Sequence, residues 1–188
     1  AMAFGLLNMP AVQEYAKDIL VEELRSKIGT ELGVGKLHFS PLNTIELDSI
    51  YLYGQSNEKI LMADKISAGI DVLSLIRGKI VITSAWLNDF EIHLSKETSD
   101  SPLNIQYIVD AFKPQNDNAG SKIKIAVKTI NISDGQFFYD IKDKPEKEAV
   151  FDANHISVSD FDAKFALKSL ESDSLNIQVK KINLKEKS

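Results

Sequence analysis

Three histidines, His38, His93 and His155, are the residues of this chain best suited to acid–base or metal chemistry. They lie far apart in sequence, each beside apolar residues, and no histidine pair falls on one helical turn as a zinc-binding motif needs. They are expected as solvent-facing strand histidines. The string "GTELGVGKL" has the look of a phosphate loop but fails on spacing. Gly29 is one residue too far from Gly35 and Lys36, and Leu37 stands where Ser or Thr would hold magnesium. It also runs from a helix into a strand, the reverse of what phosphate binding at a helix start requires. Ser56 to Lys59 and Ser121 to Lys124 are Ser-x-x-Lys strings in polar turns, without the companion motifs of an acylating serine. The carboxylates alternate along wet faces or gather in turns, with no pair marked out for an apolar cleft. "PQNDNAG" is too short for a calcium loop and has no closing Glu. No catalytic residue, cofactor or metal is therefore assigned, and the chain reads as a non-enzyme.

Composition narrows the classes further. The 188 residues are 44% apolar and 26% charged, ordinary for a globular protein of one domain or two small ones. A net charge of −5, spread in mixed-sign runs, offers no field for a phosphate backbone, so nucleic acid is excluded as an expected partner. With no cysteine there is no disulfide and no thiolate chemistry. No apolar run reaches the roughly 18–20 residues of a membrane-spanning helix. Near the start, "AFGLL" reads as the remnant of a longer apolar segment or as an ordinary terminus.

The elements that would position any site follow from periodicity. From Pro10 to Ile28, apolar residues fall at Val12, Ala16, Ile19, Leu20, Leu24 and Ile28, the spacing of an amphipathic helix. Asn8 and Pro10 suit its first turn and Gly29 the left-handed position after its last. Packing against a sheet is the expected use, because Glu14, Asp18, Glu22 and Glu23 would repel anionic lipid. After Gly35 the period becomes two. Between Lys79 and Leu94, Ile80, Ile82, Trp86, Phe90, Ile92 and Leu94 share one parity, which predicts one antiparallel strand with a buried and a wet face. Alternation recurs at Leu37 to Tyr53, Ile66 to Val72, Ile123 to Val127, Phe161 to Leu167 and Leu175 to Val179. Phase slips at Lys128-Thr129 and Lys180-Lys181 predict bulges in curved strands. "SPLNIQYIVDAF" predicts a short helix near 102–112, with Pro102 in its first turn after Ser101. "KPQNDNAGSK" reads as a linker.

The order of signals repeats across that linker. A strand pair around "KLHFSPLNTIELDSIYLYGQ", a turn at Ser56-Asn57 and the stretch from Asp64 to Leu94 are matched by "KIKIAVKTINISDGQFFYD", a charged turn "KDKPEKEA" and the stretch from Asn154 to Leu184. "LDSIYLY" matches "ISDGQFFYD", and "DKIS" and "NHIS" are expected to open equivalent strands. The expected organisation is α+β: an N-terminal helix in 1–35, a first β module in 36–113 that includes the short helix, a linker in 114–121, and a second β module in 122–188. Repetition at this length means stacked units in one predominantly antiparallel, curved sheet, with the second module expected to continue beyond Ser188 unless Lys180, Lys181, Lys185 and Lys187 protect its edge. Such a one-sided array either closes a core or leaves an apolar trough. Ile80, Ile82, Trp86, Phe90, Ile92, Phe161 and Phe165 would line it.

Two stretches carry a family resemblance. "LLNMPAVQEYAKDILVEELRSKIGTELGVGKLHFSPLNTIELDSIYLYG" followed by "ADKISAGIDVLSLIRGKIVITSAWLNDFEIHL" resembles the N-terminal region of AsmA-like envelope proteins, nearest to the TamB-type subunit of the translocation and assembly module in its Bacteroidetes-type form. It extends through "DSPLNIQYIVDAF" and "NHISVSDFDAKFALKSLESDSLNIQ". The resemblance implies an inner-membrane anchor before the segment resembling Leu6 to Gln13, and a β-groove projecting into the periplasm. It implies phospholipid acyl chains as cargo and an outer-membrane barrel protein as partner, through regions that these stretches do not include. Its function would be lipid transport and outer-membrane biogenesis. Pairing of exposed sheet edges with client outer-membrane proteins, or a closed structural module without ligand, are the alternatives.

Overall fold

The computed structural model describes residues 8–40, 43–71, 73–74, 77, 80–112, 123–147, 151–171 and 174–185. The expected linker at 114–121, the apolar start before Asn8 and the last residues to Ser188 lie outside them. Helix α1 spans Pro10–Ile28, followed by strands β1 (Leu32–Ser40), β2 (Thr44–Tyr53), β3 (Lys59–Ile70) and β4 (Ile80–Lys96). Helix α2 (Gln106–Ala111) precedes β5 (Ile123–Ile141), β6 (His155–Glu171) and β7 (Ser174–Lys185). The fold is α+β. Its seven strands form one open sheet in sequence order, with β1 and β7 at the edges. Every neighbouring pair is antiparallel except β4 and β5, which run parallel. That junction departs from a purely antiparallel meander, and its cause is the connection through α2. A parallel pair needs a crossover of a dozen residues or more, which residues 97–122 supply.

Helix α1 follows its sequence signals closely. Pro10 occupies the first turn, where its missing N–H costs nothing, although the cap position is Met9 and no side chain caps there. Gly29 ends the helix at φ 71°, and its N–H donates to the Arg25 carbonyl at 2.8 Å. Arg25 Nε in turn donates to the Leu32 carbonyl at 2.5 Å, tying the helix to the edge strand. Strand β1 begins at Leu32, earlier than the change of period after Gly35 indicates. Helix α2 begins later than expected. Asn104, not Pro102, sets its start, because Asn104 docks on the end of β4: its N–H donates to the Ser95 carbonyl (2.9 Å), its Oδ1 accepts from the Ser95 N–H (3.1 Å) and its Nδ2 donates to the His93 carbonyl (3.2 Å). Ser101 pairs with the Thr98 hydroxyl at 2.8 Å instead of capping a helix.

Within the sheet, the alternation of apolar side chains reverses along one line crossing the strands. On β2, Ile45 and Leu47 belong to the core on one side of Ser49, and Ile50 and Leu52 on the other. On β4 the same happens between Leu87 and Phe90, and on β1 between Leu32 and Leu37. The turning residues Ser49, Asp89, Asp134 and Asp160 have φ of 54°, 54°, 53° and 50°. A left-handed residue inside a strand acts as a bulge, passing one residue over and returning the chain to the same face. Polar Asp and Ser tolerate this conformation better than branched residues do. The line is continuous in register: Val34 faces Ile50, Ile50 faces Ala63, Ala63 faces Phe90, Phe90 faces Gly135 and Gly135 faces Phe161. It separates two buried clusters. One gathers Leu37, Phe39, Ile45 and Ile70 under Leu20 of α1, and the other gathers Leu32, Ile50, Leu52, Ile60, Ala63 and Phe90 under Ile28, with α2 packed alongside.

This reversal corrects two expectations. β4 is not in one phase, since besides Asp89 it slips where Gly69 faces Ser84 but Ile70 faces Ile82. The expected counterpart of the first strand pair is, from Ile123 onward, a single strand, β5, whose Asp134-Gly135 makes a bulge on which the Phe90 ring lies, so that a Cβ at Gly135 would collide with that ring. "DKIS" lies inside β3, whereas "NHIS" opens β6. The bulges expected at Lys128 and Lys180 are present: Ile82 faces Ile125 while Ser84 faces Thr129, and Lys164 faces Lys181 while Phe165 faces Val179.

Left-handed φ costs a non-glycine L-residue about 1–2 kcal/mol, and branching at Cβ aggravates it. Asp89→Val is therefore expected to lower unfolding free energy by about 1–2 kcal/mol, while Asp89→Gly leaves it unchanged or slightly raised, in urea unfolding followed by circular dichroism. Equal stability of the two variants would show that residue 89 does not need this conformation.

Candidate functional site

The residues expected to line a trough do not all reach the same place. Phe90 is 3% exposed and lies in the core beneath both helices. Ile92 and Phe161 are half-buried against the same cluster, and the Phe161 ring lies 6.1 Å from that of Phe137. Ile82 is half-buried opposite buried Ile70. Phe165 is half-buried opposite Ile130. Ile80 pairs with Ile123 at the start of β4, and its side chain lies outside the described ones. Trp86 is separated from the group. Its neighbour Leu87 packs on the core, so by alternation Trp86 projects from the opposite face, where it is 40% exposed between Ser67 and Asn131. Leu87, Ile130, Ile132 and Phe137 take positions on the apolar face that a constant parity does not reveal. The signal that could have found them is the Asn88-Asp89 and Ser133-Asp134 steps inside otherwise apolar strands.

The opposite face is polar and internally paired. Lys65 Nζ lies 3.6 Å from Glu46, His38 Nε2 lies 3.3 Å from Asp48, and Lys59 Nζ donates to Glu91 at 3.0 Å. His93 lies 2.5 Å from the same Glu91 oxygen and stacks on Phe138 at 4.5 Å. The hydrogen bonds from His93 and then Lys59 hold the Glu91 carboxyl below its usual range, against a smaller opposing effect of burial. His155 is the most enclosed of the three histidines, its side chain 16% exposed. Each histidine therefore serves a carboxylate partner, which the expectation of simple solvent-facing histidines did not include. Among the described residues no three His, Asp or Glu side chains converge to hold a metal.

Burial varies across the apolar face. Leu37, Ile45, Ile50 and Ile60 on β1 to β3 are 3–4% exposed while Leu47, Leu61 and Ile66 are half-buried; on β5 and β6, Ile130, Ile132, Phe137, Phe161 and Phe165 are half-buried beside buried Ile141 and Ala163. Chemically, such a surface offers apolar contact and exclusion of water. No protein-family model and no curated protein matches the chain.

The two aromatic residues of β4 should answer truncation differently. Phe90→Ala removes a buried ring and is expected to cost about 3–5 kcal/mol. Trp86→Ala is expected to stay within about 1 kcal/mol, both read by chemical unfolding. A Trp86 variant as damaging as the Phe90 variant would contradict the assignment of the two faces.

Proposed function

We propose that the chain is the membrane-proximal groove segment of an inner-membrane-anchored, periplasmic AsmA-like protein that carries phospholipid toward the outer membrane. The observation that carries this reading is the strip of half-buried apolar side chains on β5 and β6 around Phe137, Phe161 and Phe165, whereas Leu37, Ile45, Ile50 and Ile60 on β1 to β3 are 3–4% exposed. Acyl chains would lie along this strip while headgroups stay in water. Each methylene removed from water contributes about 0.8 kcal/mol, so partial enclosure suffices to hold a lipid without any covalent step. An amphipathic α1 leading directly from a bilayer anchor would seat the first strands at the membrane. The outer-membrane barrel partner would be met by regions beyond this chain.

In this reading the sheet consists of two repeated, curved β modules. Support comes from the matching left-handed steps "LDSI" and "ISDG", with Ser49 and Asp134 at φ 54° and 53°, in strands that each lead into a hairpin. Bulges at these steps and at Lys128 and Lys180 add twist and curvature.

A photo-crosslinking amino acid placed at Phe165 in the full-length protein, in cells, is expected to capture phospholipid. The same group at the neighbouring exposed Lys164 is expected not to. Absence of lipid at both positions, or equal capture at both, would overturn the reading; capture of an outer-membrane protein strand at Phe165 would replace it with client binding.

A further inference from the structure

The connection between β5 and β6 is fastened by a cluster centred on His155. Its Nδ1 lies 2.5 Å from Asp140 Oδ1 on β5, and its Nε2 lies 3.0 Å from the Lys144 carbonyl oxygen. A carboxylate and a carbonyl can only accept. Both contacts are hydrogen bonds at once only when both ring nitrogens carry protons, that is, in the imidazolium form. Next to it Asp152, 7% exposed, accepts the N–H groups of Lys147 and Asn154, each at 3.0 Å, and its own carbonyl accepts from the His155 N–H at 3.2 Å. Of the other charged groups described nearby, Lys142 pairs with Glu97 beyond β4 at 2.6 Å, Lys144 Nζ lies 3.8 Å from Asp143, and the Lys147 charge acts on Asp152. β7 faces β6 only from Ser159 onward, so no β7 group in the described register stands opposite His155.

We propose that this cluster is a proton-controlled latch, in which the His155 imidazolium fastens the Lys144 backbone to the end of the β5–β6 hairpin and loss of its proton releases that bond. Deprotonation takes one N–H from the ring. The charge-assisted bond to Asp140 retains the remaining proton, and a lone pair on Nε2 then faces the Lys144 oxygen. Burial works against the charged ring, but the Asp140 hydrogen bond, the Lys144 carbonyl and the charges of Asp140 and Asp152 together hold its pKa above the ordinary 6.5. With a raised folded pKa, the stabilisation is complete below the unfolded value and is lost as pH rises through the folded one. Asp152 has the opposite sign. The N–H groups of Asn154 and Lys147 outweigh burial and hold its carboxyl below 3.8, so it stays ionised throughout the range in which His155 titrates.

The test is an NMR titration of the His155 ring in the full chain, paired with amide-exchange protection factors corrected for intrinsic pH dependence. His155 is expected to titrate above 6.5, with several-fold loss of protection at Lys144 and Lys147 following the same curve, while Gly54 and Asn57 in the β2–β3 turn stay constant. Asp140→Asn should bring both transitions down together, and His155→Gln should make protection independent of pH. Titration of the wild-type ring at or below 6.5, or protection at Lys144 that ignores it, overturns the latch whatever the variants do.

Discussion

The architecture rests on a row of left-handed residues set into the strands of a one-sided sheet. Strict alternation would carry each long strand's apolar residues away from the core wherever the residue pattern slips by one. Ser49, Asp89, Asp134 and Asp160 absorb the slip at φ near 50°. The face with Leu47 on one side of the row and Ile50 on the other thereby stays continuous, although those residues are three apart. Gly135 completes the arrangement by leaving room for Phe90, the most deeply buried aromatic side chain of β4. Once that face is fixed, the helices follow. α1 lays Leu20 on one cluster and Ile28 on the other, and α2 is held near it by the 3.1 Å contact between the Thr30 and Tyr107 hydroxyls and by Lys27 over the Phe112 ring at 5.0 Å.

The same constraint gives the molecule two unlike surfaces. Charged residues that would be costly to bury are collected on the far face and matched in pairs, such as Lys65 with Glu46 and Lys59 with Glu91. Exposed pairs of this kind contribute little stability, so their main effect is to keep that face wet and the other one apolar. On β5 and β6 the apolar side carries the half-buried residues Ile130, Ile132, Phe137, Phe161 and Phe165 beside buried Ala163.

Much of this was legible in the residues because local rules govern it. The bounds of α1, the left-handed Gly29, the turn at Asn57 and the bulges at Lys128 and Lys180 all depend on neighbours within a few positions. What was hidden depends on distant partners. A polar Asp inside an apolar strand reads as a wet-face residue, and only the opposing register of Ala63, Phe90 and Gly135 identifies it as a turning point. The parallel meeting of β4 and β5 leaves no trace in either strand, since it is set by the route of the intervening chain. Asn104 reads as an interior helix residue until its three bonds to the end of β4 are seen. His155 and Asp140 are brought together by a hairpin connection whose spacing matches no local motif.

The most direct measurement is a cysteine-accessibility scan along β4, from Ala85 to Ile92, in a chain that contains no cysteine of its own. The account predicts slow thiol modification at positions 85, 87, 90 and 92 and fast modification at 86, 88 and 89. A strict period of two, with 86, 88, 90 and 92 behaving alike, would contradict the reversal on which the apolar face depends.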